Sequence, residues 1–166
     1  MSHSLVYILN ILVIAFPLSI LEILMEGKFG WGSGWSKDKW YAKPFLAGNP
    51  IVKFFVKQIK IEWPLNYHIT VFIVIMPIIC ILEYIFLDRN IVLIVACFIA
   101  ILVFEDLFWF LFNWNFDSFK QLMKGPNGSI WWHKGWIRIS GNTYLPVPYF
   151  VHIPFSLVLL ILAYLF

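Results

Sequence analysis

The stretch Phe104–Asn113, FEDLFWFLFN, sets two adjacent carboxylates, Glu105 and Asp106, in a run that is otherwise almost entirely hydrocarbon and aromatic. Upstream, from Ile91 to Val103, no residue is charged. The whole run is therefore long enough to cross a bilayer, which takes about 20 residues rising about 1.5 Å each. Ionisable groups at such depth are costly and turn toward a protein interior or a water cavity. The two acids thus require partners, and other parts of the chain must supply them.

Composition sets the class. Of 166 residues, 61% are apolar and 13% charged, whereas a soluble domain has about 45–50% and about 25%. The chain reads as a single integral membrane domain over 1–166, and nucleic acid is not expected as a partner. Three more apolar runs join the first, giving spans at about 4–25, 67–87, 91–113 and 148–166. The implied fold is all-α: an integral membrane four-transmembrane-helix bundle with two amphipathic interfacial loop segments. Asn10 and Pro17 interrupt the first span, which lacks the basic start of a cleaved signal and reads as a retained helix. Pro77 interrupts the second span. Cys80 and Cys97 fall in neighbouring spans and read as small apolar residues.

Loops 26–66 and 114–147 fall on one side. In the first, glycines at 27, 30, 32, 34 and 48 break regular structure. Asn49-Pro50 then opens a short helix by a cap-then-proline signal. Lys53, Lys57 and Lys60 form one stripe of it, with Ile51, Phe54, Phe55, Ile59 and Trp63 supplying apolar area, the pattern of a helix lying in the membrane interface. The second loop holds a short amphipathic piece near Phe116–Lys124, the turn GPNG at 125–128 and the run WWHKGW at 131–136. Eleven of the 12 cations lie in these two loops, Arg89 being the exception, and all nine tryptophans lie there or at the adjacent helix end. The positive-inside rule places both loops in the cytoplasm and both termini outside, as in a multi-pass protein of a prokaryotic plasma membrane.

Depth now collects the polar residues. Glu22 and Glu26 end the first span on the loop side, His68 begins the second there, and His152 lies in the first turns of the fourth. Glu105 and Asp106 sit about 10 Å inside that face, Asn113 follows on nearly the same side of the helix, and His133 lies in the covering loop. Glu83 stands apart, with Asp88 and Arg89 at the other end.

This set admits three main readings, with an ion or proton pathway as a fourth. Glu22, His68, Glu105 and His133 could bind a divalent metal such as iron, manganese or zinc, with Asp106 or His152 beside them. Alternatively Glu105, Asp106 and His68 could act as metal-free acid–base groups on a lipid-like substrate, Trp109, Asn113, Trp132 and His152 lining its site. Third, the acids could pair with Lys28, Lys134 or Arg138 in a non-catalytic accessory subunit bound to a membrane protein partner or a second copy. The first two readings describe a membrane-embedded enzyme or binding protein.

The motifs GWG at 30–32, PLNYH at 64–68, EDLFWFLFN at 105–113 and WWHKGW at 131–136 together resemble a group of small four-helix prokaryotic membrane proteins. The resemblance implies that His68, Glu105, Asp106, Asn113 and His133 belong together, and it implies no activity. The stretch 137–147 is longer here than in that group. A fainter likeness, of fold alone, is to emopamil-binding-protein-like sterol isomerases.

Overall fold

The computed structural model describes residues 2–27, 38–59, 65–86, 89–115, 117–130, 133 and 135–165. Most of these are helical. Helix α1 covers His3–Glu26, α3 Asn66–Phe86 and α4 Ile91–Phe112, and each is long and apolar enough to cross a membrane. Helix α6, Val147–Ala163, is equally apolar in character but has 17 residues. Between them lie α2, Pro50–Ile59, and α5, Ser118–Met123, where the sequence predicts its two short amphipathic segments. Asn49 opens α2 as expected, its Oδ1 accepting from the Ile51 and Val52 amides at 2.9 and 3.2 Å.

One part of the second loop is not helical. Residues Trp136–Ser140 (β1) and Thr143–Pro146 (β2) form an antiparallel hairpin, so the fold is not purely α. The signal was local: two short runs rich in Ile, Thr and Tyr flank Gly141-Asn142, and Gly141 adopts φ +50°, the left-handed turn geometry that glycine accepts without strain.

Helix α4 is the central element, packed against α1 and α6. Toward its start, Ala96 and Ala100 are fully buried beside Val6, Tyr7 and Ala163. Small side chains let backbones approach closely where hydrocarbon surroundings give no hydrophobic push. The Tyr164 hydroxyl bonds Ser4 Oγ at 2.7 Å, and Tyr7 and Ser156 share a buried hydroxyl contact of 2.7 Å. The start of α1 therefore meets the end of α6. Helix α3 is peripheral, with far less of its length buried than α4.

Helices α1 and α3 each contain a π-helical turn, Ile11–Ala15 and Thr70–Ile75, two residues before Pro17 and Pro77. Proline removes one amide donor and crowds the carbonyl four residues back, and a wider turn relieves both effects. Burial records the extra residue. In α1 the buried positions run 6, 7, 10, then 15, 19, 22, 23, 26, and in α3 they run 67, 68, 71, then 76. Ordinary helical steps are three or four; each five-residue step crosses a π turn.

Glu83 is not isolated near Arg89. Asn10 of α1 reaches it, Nδ2 donating to Glu83 Oε1 at 2.7 Å and to Val6 O at 3.0 Å. Cys80 and Cys97 are both free thiols.

Candidate functional site

Successive α-helical residues are about 100° apart, so the end of α4 shows three stripes. Phe104, Phe108 and Phe112 form the first. Phe16 of α1 meets Phe108 and Phe112 edge-on, at centroid distances of 5.7 and 5.3 Å. Glu105, Trp109 and Asn113 form the second, and Asp106 with Phe110 the third. The two adjacent acids consequently serve different partners.

Glu105 turns to α1. Its carboxyl and that of Glu22 stand within hydrogen-bonding reach of each other, and both residues are buried. Tyr67 of α3 is buried close to the Glu22 carboxyl. Glu26, also buried, adds a further acid close to Glu105 and Tyr67. Glu105 Oε1 is enclosed with no hydrogen-bond donor placed on it among the described residues.

Asp106 turns to α6 and the covering loop. The Tyr149 hydroxyl donates to Asp106 Oδ2 at 2.6 Å, and His133 Nε2 lies 3.2 Å from the same oxygen. The His133 ring sits among Phe110, Trp136 and Tyr149, with centroids 5.7, 5.8 and 6.2 Å away. The hairpin fixes this loop to α6, because the Val147 amide donates to Gly135 O at 3.0 Å. At the other end of the loop, the Gly125 turn lies against Tyr144, so that a Cβ there would come within 2.5 Å of the Tyr144 Cβ.

The other expected site residues fall as follows. His68 is buried at the start of α3, edge-on to Tyr67 (5.5 Å) and stacked parallel to Phe72 (6.5 Å). The α3 residue brought to the acid pair is Tyr67, its neighbour. Asn113 is a structural tie: Nδ2 donates to Gly27 O at 2.7 Å, joining the ends of α1 and α4, while Oδ1 accepts from the Asn115 backbone and side chain, each at 3.0 Å. Ser118 completes that end, its Oγ donating to Phe110 O at 2.6 Å. Trp109 is core, packed edge-on against Phe110 at 5.1 Å in a cluster with Ile23, Leu122 and Ile130. His152 is exposed on α6 and does not join the acids. Trp132, Lys28 and Lys134 lie outside the described residues, as does the GWG motif. Arg138 is exposed in the hairpin, its Nε donating to Gly141 O.

Among the described residues no group of three or more His, Cys, Asp or Glu side chains is placed to hold a metal ion. Glu22 and Glu105 come together, and Asp106 and His133 come together, but the four expected ligands do not form one cluster. What the arrangement offers is a buried carboxyl pair beside a Tyr–Asp–His contact. Tyr67 and Tyr149 are the members that sequence reasoning missed.

No protein-family model, curated protein or solved structure matches this chain.

Proposed function

We propose that this is a four-span membrane protein that binds a lipid-like molecule in its cytoplasmic leaflet and moves protons on it. The fourth crossing is α6. Its end lies beside Ser4 of α1 and its start, at Tyr149, lies beside Asp106 of α4, so it runs alongside both helices from the terminal side to the depth of the acids. The lysine-bearing loops face the cytoplasm of a prokaryotic cell and both termini face out, on the charge asymmetry of the sequence.

The observation that carries this reading is the meeting of Glu22 and Glu105 inside the protein, one residue from an aspartate held by Tyr149 and His133. Two carboxyls at close quarters in low dielectric accommodate one negative charge better than two. Such a pair is suited to giving and retaking a proton. Asp106, held by the Tyr149 hydroxyl, stands against the His133 imidazole, a group able to take and pass a proton. Pairs of titratable groups in contrasting surroundings are how acid and base roles are divided. A metal-assisted form would need a third ligand that the described residues do not bring to either pair.

The test is lipid analysis of gently purified protein together with Glu105→Gln. A lipid or isoprenoid retained in stoichiometric amount by the native chain, and lost from a folded E105Q variant, is the expected result. Native protein that can be stripped of lipid with no change in stability overturns the reading. Elemental analysis of the same sample decides the metal-assisted form.

A further inference from the structure

Helix α2 presents three faces, about a third of a turn apart. Ile51, Phe54 and Phe55 form one, with 65, 57 and 55% of their surface exposed. Val52 and Val56 form the second and are half-buried. Lys53 and Lys57, one turn apart and exposed, form the third. Phe54 and Phe55 touch edge to face at 5.6 Å. Two aromatic rings and an isoleucine are thus more than half exposed, beside a pair of lysines and with no acid within the helix.

We propose that α2 is a recognition element for anionic phospholipid. Ile51, Phe54 and Phe55 enter the acyl layer, while Lys53 and Lys57 hold the headgroup phosphate. Exposed aromatics with cations on the other side are the signature of a helix lying in the plane of the interface. The lysine pair adds selectivity for net negative headgroups, at about fivefold per lysine. The stretch Trp40–Lys43, ahead of α2 in the chain, is tied to the second span: Asn66 Nδ2 donates to Trp40 O at 2.7 Å, and the Asn66 amide donates to Lys43 O at 2.9 Å. This inference stands apart from the acid–base reading and does not require it.

The experiment is native mass spectrometry of the full chain, given equimolar phosphatidylglycerol and phosphatidylcholine of identical acyl composition. The native protein is expected to retain phosphatidylglycerol preferentially, and the preference is expected to fall as ionic strength rises, a measurement that needs no variant. Lys53→Gln with Lys57→Gln lowers the preference on the order of 25-fold, and the corresponding arginine pair keeps it. Equal retention of the two lipids by the native protein overturns the proposal. So does a preference that survives K53Q/K57Q and disappears in K120Q/K124Q, which would place the lipid on α5.

Discussion

Replacing Tyr149 by Phe tests the contact that organises half of the candidate site. The substitution keeps the ring against Phe110 and His133 and removes only the hydroxyl that donates to Asp106 at 2.6 Å. A hydrogen bond to a charged group contributes about 1.5–3 kcal/mol. The Asp106 side chain keeps 30% of its surface exposed, so water replaces part of what is lost, which favours the lower half of that range, about 1.5–2 kcal/mol. A double-mutant cycle with Asp106→Asn then isolates the pair. Asparagine keeps an acceptor oxygen but no charge, so the Tyr149→Phe cost should shrink by about 1 kcal/mol in that background. Unfolding in mixed micelles, followed by tryptophan fluorescence, measures all four proteins. Equal costs in the two backgrounds would show that the hydroxyl and the carboxyl do not act on each other, and the Tyr–Asp–His arrangement would fail with them.

Two further substitutions probe the frame around the site. Gly125→Ala places a Cβ 2.5 Å from the Tyr144 Cβ at a residue with φ +57°; overpacking and left-handed strain together should cost about 2–4 kcal/mol, and unchanged thermal stability would mean that the hairpin is not seated on that turn. Asn10→Leu strips Glu83 of its donor and should cost about 2 kcal/mol, whereas Glu83→Gln keeps the acceptor and should cost less than about 1 kcal/mol; a reversed order, read from the same unfolding assay, would sink the Asn10–Glu83 bond.

Much of the architecture was legible because apolar run length is a one-dimensional signal. The expected spans 4–25, 67–87 and 91–113 match helices at His3–Glu26, Asn66–Phe86 and Ile91–Phe112 within a residue or so. The hairpin was hidden for a different reason. Its residues sit between tryptophans and prolines in a stretch short enough to pass as loop, and only Gly141-Asn142 marked the reversal. For the site, depth along each helix was readable but azimuth was not. Depth put Glu22, His68, Glu105, Asp106, Asn113, His133 and His152 toward one face, yet the direction in which each side chain turns depends on packing. Hence Glu105 and Asp106 part company by 100°, His152 faces outward, and Asn113 is spent on Gly27. Tyr67 and Tyr149 were overlooked because a tyrosine near a helix end also reads as an interfacial anchor, and nothing in their spacing shows a hydroxyl aimed at an acid.

The π turns in α1 and α3 have a bearing on how this chain tolerates editing. Between Asn10 and Glu22 there are 12 steps, which in an unbroken α-helix would leave the two side chains about 120° apart. The surplus residue of the π turn takes up about 100° of that, which is why one side chain can meet Glu83 while the other meets Glu105. A deletion of a single residue between Ile11 and Ala15 would return the ladder to ordinary α pitch with both halves still facing inward, while restoring the proline crowding that the wider turn relieves. The same deletion a turn later would swing one half of the helix, and its buried amide or carboxyl, out toward lipid.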